Sequence, residues 1–288
     1  MKVAGTVVAA YGRQYRVEVA EGETLLCFPR GKKSELACGD QVIVEQTSAD
    51  QGVISALEAR TTLLYRSDHF KQKLIAANVT QIIIVVATEP PFSDELITRC
   101  TVAAENQGIK ALIVLNKCDL TDRVAAASAA LAQFESLGYR VVKLCARHES
   151  ALLLPHLAQQ TSLLIGQSGM GKSTLTNALV PYARAPTREI SQALNAGKHT
   201  TTHARLYRLG AMTSLIDSPG LMAFGLHHLS AEDLAQAFPE LRPLLGECRF
   251  RNCRHDREPD CRVQAALREG AIDPRRYAAF RSLCAEIG

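Results

Sequence analysis

The sequence predicts three domains in succession: a small antiparallel β-barrel at residues 1–62, an α/β domain at 63–225 and a mainly helical domain at 226–288. Short runs of alternating apolar and polar residues predict the barrel, and apolar strands that alternate with helical stretches predict a parallel sheet. A group of Cys and His residues precedes the last helical stretches. A chain of 288 residues with 47% hydrophobic residues is long enough for two or three such cores.

Charge and composition favour a cytoplasmic protein without a membrane anchor. The 33 basic and 29 acidic residues give a formal charge of +4, too small an excess to indicate a nucleic-acid partner by itself. The N-terminus lacks the order of a signal peptide, so the nine cysteines are expected to be reduced. The apolar run QIIIVVAT at 81–88 is far shorter than the roughly 18 residues that span a bilayer.

The first domain fits five short strands separated by glycines and charged residues, which favours an OB-type barrel. Such barrels often bind nucleic acid. By count, however, residues 1–60 carry seven Lys or Arg and eight Asp or Glu. Composition therefore leaves two alternatives, an RNA-binding barrel and a packing domain.

The α/β domain contains a phosphate loop at residues 166–174, GQSGMGKST. An apolar strand precedes it and a helical stretch follows, which is the context that G-x-x-x-x-G-K-[ST] requires. Glycines let successive amides turn toward an anion at a helix N-terminus. Lys172 is expected to reach the β and γ phosphates and Ser173 to bind Mg²⁺. The predicted phosphate-binding residues are Gly166, Gln167, Ser168, Gly169, Met170, Gly171, Lys172, Ser173 and Thr174.

Two further segments complete the predicted phosphate and metal site. DSPG at 217–220 ends another apolar strand, where Asp217 would hold the metal through water and the Gly220 amide would approach the γ phosphate. Between it and the phosphate loop lies a threonine loop, residues 195–203, in which a hydroxyl would complete the metal shell. Thr201 is our candidate, with Thr200 and Thr202 as alternatives. A plain polar loop entering a strand is the other interpretation.

The base motif, NKCD at residues 116–119, follows a buried strand. The Asp119 carboxylate can accept two hydrogen bonds from the N1 and N2 edge of guanine, whereas adenine offers no matching donor pair. This motif predicts selectivity for GTP and assigns Asn116, Lys117, Cys118 and Asp119 to the base. The backbone of Cys145 and Ala146, after the next strand, is expected to support it.

The order of these motifs is unusual, because the base motif precedes the phosphate loop. A doubly wound sheet assembles its site from loops at the carboxyl ends of strands, so a circular permutation of a Ras-like GTPase domain preserves the site. The segment after DSPG then leads directly into the C-terminal domain. We therefore expect nucleotide state to influence that domain.

The C-terminal domain contains a cysteine loop, residues 248–261, with the pattern C-x4-C-x-H-x5-C. Three thiolates and one imidazole suit a closed, structural zinc site, and the absence of C-x-x-C argues against a redox pair. The predicted ligands are Cys248, Cys253, His255 and Cys261. Arg249, Arg251, Arg254 and Arg257 on this loop suit phosphate contacts, although nearby acidic residues also fit a solvated surface. The thiols of the remaining cysteines, Cys27, Cys38, Cys100, Cys118 and Cys284, are expected to be packed and not to act as reagents.

The series NKCD, GQSGMGKS, GKHTTTH, DSPG and CRFRNCRHDREPDC resembles the RsgA (YjeQ) family over nearly the whole chain. The resemblance implies an OB-type RNA-binding barrel, a circularly permuted Ras-like P-loop GTPase domain and a mainly helical zinc-binding domain. It also implies a GTPase that acts in late maturation of the small (30S) ribosomal subunit, contacts 16S rRNA and uses Mg²⁺ and one Zn²⁺. We expect a monomer.

The resemblance assigns a hydrolytic role to His199 in the threonine loop. Leu221 stands where Ras-type enzymes carry a water-orienting glutamine, so low intrinsic activity is expected. His199 in a packing or RNA-binding role is the alternative. Two other classes of function also remain: an RNA-binding adaptor whose nucleotide pocket is regulatory, and a metabolic P-loop kinase. Asp119 and the cysteine loop argue against the kinase.

Overall fold

Five N-terminal strands close into a barrel. The computed structural model of the protein describes residues 1–20, 22–31, 36–68, 71–183, 204–218 and 225–287. The strands follow the order β1-β2-β3-β5-β4, and β4 pairs back onto β1. β3 and β5 are parallel, and the other pairs are antiparallel. This confirms the predicted OB-type barrel. Its strands are β1 (Lys2–Tyr11), β2 (Gln14–Ala20), β3 (Glu23–Pro29), β4 (Gln41–Gln46) and β5 (Gln51–Leu57).

Alternating side chains fill the barrel interior. Val7, Val17 and Val42 are fully buried, because successive side chains of a strand point to opposite faces. A partly buried ion pair fixes the chain where it leaves the barrel. The Asp40 carboxylate accepts two 2.7 Å hydrogen bonds from the Arg60 guanidinium.

A hairpin of β6 (Leu63–Asp68) and β7 (Lys71–Ala77) follows the barrel as a separate two-stranded sheet. These strands were not predicted from the sequence. The stretch contains no glycine and no Asn-Gly pair, which are the residues from which short hairpins are usually predicted.

A six-stranded sheet forms the α/β domain in the order β10-β9-β8-β11-β13-β12. All neighbours are parallel except β12 and β13. The base motif and the phosphate loop each follow the carboxyl end of a parallel strand, and Asp217 ends another, so these three parts of the site lie at one edge of the sheet. The strands are β8 (Gln81–Ala87), β9 (Lys110–Asn116), β10 (Arg140–Lys143), β11 (Thr161–Ile165), β12 (Arg205–Gly210) and β13 (Thr213–Asp217).

Helices cover both faces of this sheet. Ile82 and Ile84 belong to the apolar cluster on the side of α1 and α2, whereas Ile83 and Val85 belong to the cluster that includes Leu175 of α4. Residues of a central strand are thus buried on both sides, which explains its continuous apolar sequence. The helices are α1 (Asp94–Gln107), α2 (Thr121–Glu135), α3 (Leu154–Leu157) and α4 (Lys172–Leu179).

The C-terminal domain contains α5 (Ala231–Gln236), α6 (Arg262–Arg268) and α7 (Pro274–Ile287). A capping box in which Ser230 and Asp233 exchange hydrogen bonds begins α5. The segment before α5 contacts both the last helix and the β6–β7 hairpin. His227 lies 3.3 Å from the Glu286 carboxylate of α7, and the His228 ring contacts Tyr65 of β6. In the described parts of the chain, no helix is both long and apolar enough to cross a membrane.

A buried arginine joins α7 to the α/β domain. The Arg276 guanidinium is 2% exposed and donates to Glu240 at 2.6 Å and to Thr98 of α1 at 2.9 Å. Its central carbon lies 4.7 Å from the ring centre of Phe238 and 5.4 Å from that of Phe134 on α2. This arginine therefore fixes the C-terminal domain against α1 and α2.

Candidate functional site

The phosphate loop connects the buried strand β11 to the N-terminus of α4, as predicted. Gly166 and Gly171 are required by close contacts: a Cβ atom at Gly166 would lie 2.2 Å from the Val85 carbonyl oxygen, and one at Gly171 would lie 2.2 Å from Asn116 Nδ2. Gly171 also has a φ of +93°. Any larger residue at position 166 or 171 would therefore collide with the backbone of β8 or with the Asn116 side chain.

Lys172 lies over the phosphate loop. Its ammonium group donates to the carbonyl oxygens of Gly166 at 2.7 Å and Gln167 at 3.0 Å. Burial lowers the pKa of Lys172 to about 8, although the nearby Asp217 carboxylate opposes this shift. The Lys172 ammonium group is therefore close enough to the Asp217 carboxylate for the two charges to attract each other. The adjoining Ser173 and Thr174 lie in the first turn of α4.

Asn116 connects three loops of the site. Its Nδ2 donates to the Met170 carbonyl oxygen at 2.9 Å, and its Oδ1 accepts from the Ala146 amide at 2.9 Å. This residue is 2% exposed. The predicted base residue Asn116 thus also holds the base motif, the phosphate loop and the loop after β10 in one arrangement.

The rest of the base motif is held by its neighbours. Lys117 has a φ of +61°, its carbonyl oxygen accepts from Thr88 Oγ1 at 2.9 Å, and its ammonium group donates to the Glu89 carbonyl oxygen at 2.7 Å. The Cys118 amide donates to the Leu144 carbonyl oxygen at 3.3 Å. Asp119 is exposed at the end of this turn, where its carboxylate is accessible to a ligand.

The loop after β10 is held by Glu149, a residue that the sequence analysis missed. The Glu149 carboxylate accepts from the Cys145 amide at 2.8 Å, while the Ala146 amide donates to Asn116. Both amides of the predicted base-supporting pair are therefore engaged in holding the loop. A glutamate a few residues after a strand has no distinctive spacing, so no sequence pattern pointed to it.

Asp217 ends β13 beside the phosphate-loop strand. It is 1% exposed and pairs in register with Leu164 of β11, two residues before Gly166. The hydroxyl of the next residue, Ser218, donates to the Leu164 carbonyl oxygen at 2.7 Å. The predicted metal-binding carboxylate is thus adjacent to the phosphate loop. Three other predicted site residues, His199, Thr201 and Gly220, lie outside the described residues.

The four predicted ligands of the cysteine loop come together. Their ligand atoms all lie within 4.8 Å of one another. His255 Nδ1 is 3.5 Å from the sulfurs of Cys248 and Cys261, and these two sulfurs are 3.9 Å apart. Tetrahedral zinc with Zn–S bonds of about 2.3 Å would separate two sulfurs by about 3.8 Å. The donor set therefore fits a closed tetrahedral metal site.

Neighbouring groups stabilise this metal site. Burial lowers the pKa of His255, which favours the neutral imidazole that binds metals. Its carbonyl oxygen accepts from the Tyr277 hydroxyl of α7 at 2.8 Å. The Glu258 carboxylate accepts from the amides of Arg254 at 2.7 Å and Asp256 at 2.8 Å. These contacts, which the sequence analysis did not predict, fix the loop that carries the ligands.

The arrangement of the site defines the class of protein. A P-loop, a guanine-type base motif and a buried aspartate meet at one edge of a parallel sheet, with the base motif first in the chain. This is the site of a circularly permuted P-loop GTPase. Residues 57–227 match the family described as RsgA GTPase, and the chain belongs to this family. It is therefore a GTP hydrolase.

Relatives and solved structures agree with this assignment. The protein "Small ribosomal subunit biogenesis GTPase RsgA" of Ralstonia nicotianae is 54% identical over 98% of this chain and 91% of that protein. The protein of the same name from Nitrosospira multiformis is 51% identical over 98% and 90%. YjeQ from Thermotoga maritima matches 100% of this chain and 99% of its own at 28% identity, with a TM-score of 0.75. YloQ, a circularly permuted GTPase, matches 100% and 95% at 26% identity, with a TM-score of 0.72.

Proposed function

We propose that this GTPase binds the small (30S) ribosomal subunit and acts late in its maturation. In this proposal the particle stimulates hydrolysis of GTP to GDP and phosphate, and hydrolysis releases the protein. The main structural support for GTP as the substrate is the hydrogen bond from Asn116 to Met170, which joins the base motif to the phosphate loop in a single guanine-nucleotide site. The names of the relatives supply the ribosomal partner.

The nucleotide is bound by groups with separate tasks. Amides of residues 166–174 surround the phosphates, and the Lys172 ammonium group moves from the carbonyl oxygens of its own loop to the β and γ phosphates. The exposed Asp119 carboxylate accepts hydrogen bonds from guanine and excludes adenine. Ser173, Asp217 and Thr201 would hold Mg²⁺, and the Gly220 amide would meet the γ phosphate. Mg²⁺ neutralises phosphate charge in such sites, and the buried Asp217 carboxylate and Ser173 hydroxyl offer the oxygen ligands that it prefers.

His199 is our candidate for orienting the attacking water, since Leu221 has no group that could do so. Substituting His199 by alanine should remove stimulated hydrolysis while GTP binding persists. Unchanged stimulated turnover in this variant would reject the catalytic role of His199.

The cysteine loop is the part of the C-terminal domain that we assign to 16S rRNA. Arg249 is paired with Asp260 at 3.0 Å, so it is partly neutralised. Arg251, Arg254 and Arg257 are exposed, and no acidic side chain of the described residues forms an ion pair with them. Guanidinium groups fixed on a metal-held loop suit phosphate contacts. We propose that the metal is zinc in a structural role and that the protein is a cytoplasmic monomer.

The proposal is tested by measuring GTP hydrolysis with and without purified small subunits, with ATP as the specificity control. We expect slow turnover alone, faster turnover with the particle and none with ATP. Binding to the particle without turnover would instead support an RNA-binding adaptor with a regulatory nucleotide pocket. The variant Asp119→Asn should lose GTP-dependent turnover and gain turnover of xanthosine triphosphate, because an amide donates to the carbonyl group that xanthine carries where guanine has its amino group.

A further inference from the structure

Strand β12 connects the barrel to the sheet of the GTPase domain. It pairs antiparallel with β13 and also with β1 of the barrel, through Ala9 and Arg205. Arg205 is the first residue of β12 and follows the threonine loop by one residue. The strand that begins where the threonine loop ends is thus also the strand that contacts the barrel.

One row of paired residues crosses from the barrel to the phosphate site. Ala9 of β1 is opposite Arg205 of β12, Arg205 is opposite Asp217 of β13, and Asp217 is opposite Leu164 of β11. Gly166 follows Leu164 by two residues. β1 is paired with β12, β12 with β13, and β13 with β11. A displacement of β1 would therefore act, through these pairings, on the row of residues that contains Asp217.

Arg208 strengthens the contact between β12 and the barrel. Its guanidinium donates to Glu18 of β2 at 2.7 Å, to the Thr6 hydroxyl of β1 at 3.1 Å and to the Ser214 hydroxyl of β13 at 3.0 Å. The side chains of Arg208 and Glu18 are 37% and 15% exposed, so water screens this pair less than a fully exposed ion pair but does not leave it buried. One side chain thus joins two strands of the barrel to two strands of the sheet.

We propose that Arg208 is a positioning residue that couples the barrel to GTP hydrolysis. It keeps β12 in register with the barrel, so that displacement of the barrel is transmitted through β12 and its pairing with β13 to Asp217. The proposal rests on the proposed function, because binding of the ribosomal particle is what displaces the barrel. It assigns the barrel a role in controlling turnover in addition to binding.

The test compares Arg208→Met with Arg30→Met. The second variant removes an ion pair on the surface of the barrel, between Arg30 and Glu45 at 3.1 Å, and leaves β12 unchanged. We expect Arg208→Met to lower particle-stimulated kcat by about tenfold, within the usual range of coupling between sites. Basal kcat, GTP affinity and binding to the particle should stay within about threefold of the parent. Arg30→Met should be stimulated normally. The double variant Glu18→Arg with Arg208→Glu should recover stimulation.

Normal stimulation of Arg208→Met, or a loss fully explained by weaker particle binding, would overturn the proposal. If the particle does not stimulate the parent protein, the proposed function itself fails. Amide hydrogen exchange then tests separately whether the barrel is coupled to the nucleotide site. Amide exchange in β1 and β2 should differ between GDP and a GTP analogue in the parent and be equal in Arg208→Met. Absence of a difference in the parent, or its persistence in the variant, would contradict coupling through Arg208.

Discussion

The Asn116 side chain donates a 2.9 Å hydrogen bond to the Met170 carbonyl oxygen, across 54 residues of sequence. The first of these residues belongs to the base motif and the second to the phosphate loop. The same side chain accepts from the Ala146 amide. Both halves of the nucleotide site are therefore fixed relative to each other by one buried amide group.

Asn116→Ala should weaken both GTP and GDP binding. The substitution leaves the buried Ala146 amide without its partner and releases the phosphate loop, each at a cost of about 1–3 kcal/mol. We expect affinity to fall by at least about tenfold, measured with a fluorescent guanine nucleotide. Asn252→Ala, at an exposed asparagine of the cysteine loop, serves as the control and should bind normally. Equal affinity of the two variants would refute the role of Asn116.

Guanine-nucleotide affinity should fall as pH rises above about 8. Burial lowers the pKa of Lys172 to about 8, and bound phosphates favour its charged form, so affinity is fully present below that pH. Unfolding does not explain such a loss. The unfolded chain, with its ordinary lysine pKa, binds more protons in this range, so the contribution of Lys172 to stability increases with pH.

The matching control for this pH dependence is Lys172→Met. Titration of the guanine base is the same for both proteins, so the difference between their binding curves isolates the lysine. The variant should bind more weakly at pH 7 and lack the additional loss above pH 8. Parallel curves from pH 6 to 10 would show that Lys172 does not titrate in this range.

Arg276→Met should destabilise the C-terminal domain, which also contains Glu240, and weaken its contact with α1 and α2. It leaves the Glu240 carboxylate, whose side chain is 5% exposed, without its buried partner, which typically costs about 3–5 kcal/mol. The neighbouring Arg275, 51% exposed, provides the control, since Arg275→Met should change stability by less than about 1 kcal/mol. Urea unfolding followed by fluorescence and circular dichroism measures both. Similar midpoints for the two variants would contradict this account.

Cys261→Ser should abolish stoichiometric zinc binding. The Cys261 sulfur lies 3.5 Å from His255 Nδ1 and belongs to the four-ligand cluster, whereas Cys284 of α7 does not. Zinc content by mass spectrometry should fall below one ion per chain in Cys261→Ser and remain at one in Cys284→Ser. Protease cleavage within residues 246–262 should increase in the first variant because the metal holds this loop. Full zinc content in Cys261→Ser would remove this cysteine from the ligand set.

Local sequence patterns predicted the parts of the site that depend on closely spaced residues. The phosphate loop, the base motif and the cysteine loop each need particular residue types within fourteen residues or fewer. Strand alternation likewise predicted a five-stranded barrel and a parallel sheet, and the structure confirms both. The β6–β7 hairpin was missed because its sequence contains neither glycine nor an Asn-Gly pair.

The sequence by itself determined the chemistry of this protein: which residues can surround phosphates, select guanine and bind a metal, and in which order they occur. Tertiary structure alone decided how these groups depend on one another. Asn116 meets Met170, Arg276 meets Glu240, and Arg208 meets Glu18 across 190 residues. Such pairs have no characteristic spacing in the sequence, because strand order and domain packing bring their members together. The residue type alone also does not show whether an arginine or an asparagine is solvated or buried.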